Sequence, residues 1–279
     1  GRIDKNFIGI PREKLALSNN YQPKGPPSFS RASFALSQAD GQNIDMRMYQ
    51  LLGKRGRFGV GVGGIGRSSP YVNSTQTVTQ AIPAITYVGE RLQWFGPALR
   101  YGLTGSGKLR LGLAAEYRIA SYEEDDSSVL AGLGDRESTL TAGLGLQYEI
   151  AKGFELDIGY QHDVLDRVGG GLANARLSRG VPIGQVTFVP QISFNWLSSE
   201  MSDHNFGISV EASNADRPAY RPGSTTSYEV GLGTFIELTE DWQIIVNISG
   251  ERLSSEVTAS PIVGDQNLIK GFAMISYVF

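Results

Sequence analysis

The sequence contains no cysteine and only two histidines, His162 and His204. The first absence removes disulfides, thiolate metal sites and cysteine nucleophiles together. The second leaves little for a zinc site or a histidine base. Charge is sparse too: 19% of residues are Asp, Glu, Lys or Arg, with a formal net charge of −3, so there is no basic footprint for nucleic acid. No apolar run approaches the ~18 residues that a membrane-spanning helix requires. The first residue, Gly1, is neither a methionine nor the start of an apolar leader, as after removal of a targeting peptide or trimming. Glycine is in excess, 35 of 279 residues, against about 7% in ordinary usage. What remains is an all-β chain whose strands face water or lipid.

From about Arg57 onward the chain is a series of segments near ten residues long in which apolar and polar or glycine residues alternate. Phe154, Leu156, Ile158 and Tyr160 fall on one face, with Glu155, Asp157, Gly159 and Gln161 on the other. Period two means strands, because successive side chains point to opposite sheet faces. Their length matches a strand tilted across ~30 Å of hydrocarbon, whereas globular strands cluster near 5–6 residues. Aromatics such as Tyr148, Phe154, Tyr160, Trp196, Tyr228, Trp242 and Tyr277 stand near the ends of the apolar faces, as interfacial girdles do. The polar face is small, mostly Gly, Ser, Thr and Ala with isolated charges, which suits a lumen. The pattern predicts a closed antiparallel transmembrane β-barrel over 57–279, with an irregular leader over 1–56 acting as a flexible segment, a plug or a periplasmic arm.

Strands are expected at 57–65, 77–88, 91–103, 108–119, 138–150, 154–165, 171–180, 185–197, 204–212, 227–238, 242–253 and 267–279, twelve in all, with ten as the alternative. Pro83, Pro97 and Pro190 each delete a ladder donor and mark bulges or local breaks. This strand set conflicts with the habit of outer-membrane barrels, which keep short turns on the periplasmic side. With both termini periplasmic, it puts the short Ala151-Lys152-Gly153 turn outside and the long acidic 120–137 connection inside.

The chain ends Gly271-Phe272-Ala273-Met274-Ile275-Ser276-Tyr277-Val278-Phe279. Ala273, Ile275, Tyr277 and Phe279 alternate, and they resemble the C-terminal signal that the bacterial barrel assembly machinery reads. Gly59 to Gly66 is followed by Pro70-Tyr71, and Ala81-Ile82-Pro83-Ala84 leads to Tyr87-Val88. Leu130-Ala131-Gly132-Leu133-Gly134-Asp135 precedes the Leu140 to Ile150 strand. Thr239-Glu240-Asp241-Trp242 and Ser260-Pro261-Ile262-Val263-Gly264-Asp265 complete the set. On these elements the chain, over about 58–279, resembles the MipA/OmpV family (MltA-interacting protein). Val72-Asn73-Ser74 stands where that family carries an acidic residue and glycine. The resemblance implies an integral outer-membrane protein without catalytic activity, in contact with lipid and lipopolysaccharide, that links a murein hydrolase to a murein synthase or binds other envelope proteins.

Site chemistry is thin. Gly61-Val62-Gly63-Gly64-Ile65-Gly66 fits G-x-G-x-x-G literally, but a dinucleotide fingerprint must open a helix within a βαβ unit, and here a second strand pattern follows. Glu123-Glu124-Asp125-Asp126 with Asp135 could gather calcium, yet the spacing of a dedicated loop is missing. Neither histidine has an evident nucleophile beside it, so no catalytic, cofactor or metal site is assigned. The inward face carries the interest: by parity Arg100, Arg110, Glu116, Arg118, Glu149, Glu155, Asp157, Arg176, Glu229, Glu237 and Glu251 point into the lumen. A closed lumen would pair them, with Arg110, Glu116 and Arg118 meeting Glu149 across strands. An open one would make a small channel for ions or solutes, mildly cation-preferring through its excess of carboxylates.

Overall fold

The computed structural model describes residues 57–74, 78–89, 91–106, 108–151 and 153–279; the leader expected over 1–56 lies outside them. Thirteen strand segments form one antiparallel sheet: β1 (Arg57–Arg67), β2 (Val78–Val88), β3 (Leu92–Phe95), β4 (Ala98–Ser106), β5 (Leu109–Arg118), β6 (Thr139–Ala151), β7 (Phe154–Asp163), β8 (Gly171–Arg179), β9 (Val181–Ile183), β10 (Val186–Leu197), β11 (Thr225–Glu237), β12 (Trp242–Leu253) and β13 (Asn267–Val278). The last strand pairs with the first, from Gly59↔Val278 to Arg67↔Lys270, and closes the barrel. β9 continues β8 along β10 in the same register, so twelve strands go round the circumference. Closure is what hydrocarbon demands, since an open edge would leave backbone groups unsatisfied at several kcal/mol each.

Each of the three strand prolines has a distinct consequence. Pro97 with Gly96 (φ +50°) makes a two-residue turn that divides the expected 91–103 strand into β3 and β4. Pro190 lies where the β8 ladder is interrupted, and Arg179-Gly180 falls at the gap between β8 and β9. Pro83 sits within β2, whose pairing with β3 is confined to Thr86, Tyr87 and Val88.

The expected strand 204–212 does not form. Helix α1 (Ser199–Phe206) begins there instead, capped by Ser198, whose Oγ accepts from the Met201 N–H, and Ile208 and Tyr220 then form an isolated bridge. The alternation of Phe206, Ile208 and Val210 is too short to outweigh that cap. The count returns to twelve because 91–103 divides, and the sidedness conflict disappears. All long connections, 68–77, 119–138, 164–170, 198–224 and 254–266, now leave from one end of the barrel. The short turns that join β2 to β3, β4 to β5, β6 to β7, β9 to β10 and β11 to β12 gather at the other end, where β1 starts and β13 finishes, while the 96–97 turn points back toward the long connections.

Alternation holds along the strands. β5 and β7 bury every second residue, and the outward positions carry Leu109, Leu113, Tyr117, Phe154, Ile158 and Tyr160. Ala273 and Ile275 on β13 and Phe279 just after it are exposed; Tyr277 stacks edge-on against Trp242 (5.3 Å between centroids) and Phe279 (5.0 Å). Glycine makes the closing corner possible. A Cβ at Gly61 would collide with the backbone of Ile275 and Ser276, and one at Gly63 with Ala273.

Candidate functional site: a charged lumen under a cap

Reading β10, β12 and β13 from the end with the long connections, the inner face passes through layers. Leu197, Leu253 and Leu268 come first, then Asn195, Glu251 and Lys270, then Val189, Ile245, Phe272 and Met274. The lower apolar layer also takes in Ile65, Phe95 and Phe235, with Phe95 edge-on to Phe272 at 5.9 Å. The middle layer is a belt. Strand register sets Arg110, Gln147, Asp157, Arg176, Ser193, Glu229 and Glu251 side by side across seven successive strands.

Of the eleven charged positions expected to face inward, nine are buried; Glu149 is half-buried and Glu237 exposed at the end with the short turns. Arg110 donates to Gln147 Oε1 (3.0 Å), while register places Glu149 opposite Glu155. Arg176 is fully buried and donates from Nε to Ser193 Oγ at 3.2 Å. Parity reasoning missed Lys270. Its Nζ lies 2.6 Å from Glu251 Oε2 and 3.1 Å from Glu229 Oε2, all three buried, and Ser227 donates to Glu251 as well. Counting back by twos from Phe272 would have found it. With Lys270 included, six acidic and six basic side chains are buried among the described residues. Charge balance of this kind is what a low-dielectric interior requires.

Above the belt the long connections fold into a cap with its own core. Tyr71, Tyr122, Leu130, Met201, Phe206, Ile208, Val257, Ile262 and Val263 bury one another over the strand-top leucines. Helix α2 (Ser255–Thr258) contributes Val257. Three of the elements that carry the family resemblance, Pro70-Tyr71, Leu130 to Asp135 and Ser260 to Asp265, meet here. Pro70 O accepts from the N–H groups of Gly264 and Asp265, Tyr71 pairs with Val263, and Tyr71 Oη donates to Asn205 O. Ser260 Oγ donates to Phe206 O, and Arg217 donates to the carbonyls of Val129, Ala131 and Ala212. Gly132 and Gly134 both take positive φ, and their N–H groups donate to Glu124 Oε2. The acidic run thus serves its own loop: Asp126 accepts from Glu123 N and Asp135 from Glu124 N. Burial, partly offset by Arg136 over its ring, pushes the Tyr122 phenol up to about 12.

His162 is exposed on the outward face beside Tyr160 (3.4 Å), and His204 is half-buried on α1. Gly61 to Gly66 lie inside β1 with no helix following. Among the described residues no group of three or more His, Asp or Glu could hold a metal ion.

The family model described as MltA-interacting protein MipA matches residues 60–279. The chain belongs to this family. A second model, of a family described as an uncharacterized protein conserved in bacteria (DUF2141), matches residues 1–44. Outer membrane protein Omp26La of Vibrio anguillarum is 28% identical over 63% of this chain and 64% of its own length. The MltA-interacting protein of Escherichia coli K12 is 26% identical over 75% of this chain and 84% of its own. The match therefore spans less than two thirds of the Vibrio relative. Among solved structures, the NanC porin aligns with a TM-score of 0.40 at 10% identity, over 78% of this chain and 98% of that one. The CymD monoaromatic hydrocarbon channel aligns with 0.41 at 12%, over 88% and 94%. The family and its outer-membrane relatives make this barrel an outer-membrane protein.

Proposed function

We propose that this MipA-family barrel is a non-catalytic scaffold of the cell envelope and not an open pore. The observation that carries the reading is the cap: a packed apolar core closes one mouth, and a charge-balanced belt and a second apolar layer lie beneath it. Outer-membrane barrels carry short turns on the periplasmic side. On that rule the cap faces outward, and the start of β1, the end of β13 and the short turns beside them face the periplasm. Partners there are murein-cleaving or murein-building enzymes or other envelope proteins, in line with the name MltA-interacting protein borne by a relative. Ala273, Ile275, Tyr277 and Phe279 would serve the assembly machinery, and lipid with lipopolysaccharide would bathe the apolar wall.

Photocrosslinkers at Lys108 and Gly184, in two of the short turns, test the scaffold in living cells. Recovery of a murein enzyme is expected, and absence of any envelope protein from both sites would overturn the reading. A second reading, a small ion channel, draws on the ionisable belt and requires the cap and belt to rearrange. Planar-bilayer recording separates the two: the scaffold stays silent, and a channel gives current steps.

A further inference from the structure

β12 crosses the wall from Trp242 to Arg252, both exposed on its outward face, where they alternate with the buried Gln243 and Glu251. Trp242 stands in the aromatic group with Tyr277 and Phe279, at the end where β13 finishes. A strand of this length, rising about 3.3 Å per residue and tilted by about 40°, climbs about 25 Å, the height of the apolar band of such a barrel. Arg252 therefore stands at the far boundary of that band, on the side of the long connections, opposite Tyr228 of β11. Next below it on the outward face is Gly250, in register with Val230 on β11 and Ile269 on β13. A carbon added at Gly250 would meet nothing nearer than Leu268 O at 4.0 Å. Its φ is not positive either, so the backbone does not call for glycine. The missing side chain leaves a notch in the wall. Val230 and Ile269 on its two sides are 66% and 68% exposed, against 44% for Leu232 one step further along β11. Ile248 closes the notch at its lower end.

We propose that the notch under Arg252 seats one acyl chain of a phosphorylated glycolipid of the lipopolysaccharide class, with a lipid phosphate on the guanidinium. The occupant must be an amphiphile, because a cation crowns a trough with apolar sides. Arginine holds a phosphate through paired N–H donors and keeps its charge at any physiological pH. A hydrocarbon chain lying at Gly250 meets protein atoms on both flanks and beneath it, where a flat wall would touch it on one side. Tyr228 beside the guanidinium offers a ring and a hydroxyl at the level of the headgroup sugar. The choice of glycolipid over phospholipid rests on the outward orientation of the cap given above, and not on any scaffold partner.

Native mass spectrometry of the detergent-held barrel reads the site, with three probes: lipid A, lipid A stripped of its phosphates, and phosphatidylglycerol. The parent should retain lipid A in preference to both others. Arg252→Gln should lower that retention by about tenfold, the loss of one charge-assisted contact. Gly250→Val, which fills the notch, should lower it too. Arg179→Gln, an exposed arginine of β8 at the opposite end of the wall, should leave it unchanged. Undiminished retention by Arg252→Gln, equal loss in Arg179→Gln, or equal binding of phosphatidylglycerol would overturn the proposal. Compact electrophoretic mobility checks folding, and Arg252→Gln decides the matter if Gly250→Val fails to fold. Orientation is read separately, by labelling a Val210→Cys variant in intact cells with a membrane-impermeant reagent, since Val210 is exposed on the cap. Labelling is expected. Its absence would overturn the orientation and the lipid site together, whereas labelling without any dependence on Arg252 would overturn the site alone.

Discussion

Leu130 has no exposed surface and sits at the centre of the cap, held there by the two glycines that follow it in the left-handed region. Leu130→Ala should cost about 2–5 kcal/mol of cap stability, through lost burial and the cavity left behind. Protease cutting within 119–138 should appear while the barrel itself stays resistant. Tyr122 gives the cap a pH limit. Its raised folded value means that the folded state keeps a proton the unfolded chain releases, so its contribution is complete below pH 10 and is lost between about 10 and 12. Tyr122→Phe should flatten cap loss over that window, measured by the same proteolysis across pH. A Tyr122→Phe profile identical to the parent's would show that other groups control alkaline loss.

At the scale of strands, the last three are tied together by one lysine. Lys270 stands between Glu229 and Glu251, which are directly opposed on β11 and β12. Lys270→Met leaves two buried carboxylates facing each other and should destabilise the barrel by about 3–5 kcal/mol. Neutralising all three positions together should recover much of that loss. The temperature at which the barrel loses its compact electrophoretic mobility reads both effects. Closure has its own weak point: Gly61→Val sets a branched side chain against the β13 backbone and should block pairing of β1 with β13. Gly271→Ala, whose added carbon meets nothing nearer than 4.0 Å, should fold normally. The strands themselves were legible because lipid on one side and lumen on the other impose a strict period of two. Lys270 was legible by the same parity, although a count that stopped at Phe272 passes over it. Helix α1 was hidden because three alternating residues imitate a strand, and only the Ser198 cap and burial of Met201 and Phe206 decide against it.

For the whole molecule, the decisive feature is that the lumen is filled in layers and not merely lidded. A variant with 119–138 replaced by a short turn should therefore remain silent in planar bilayers, because the belt and the layer around Phe95, Phe235 and Phe272 still occupy the interior. Current steps from that variant would favour a channel gated by its cap. The periodic sequence alone determined the barrel, its lipid and lumen faces and the identity of most buried charges, since each follows from neighbours two residues apart. Which end carries the long connections, how those connections form a core, and which charges touch were decided only in three dimensions. The residues that settle them lie in aperiodic loops or on strands far apart in the chain, and hydrogen-bond register brings them together without leaving any local trace.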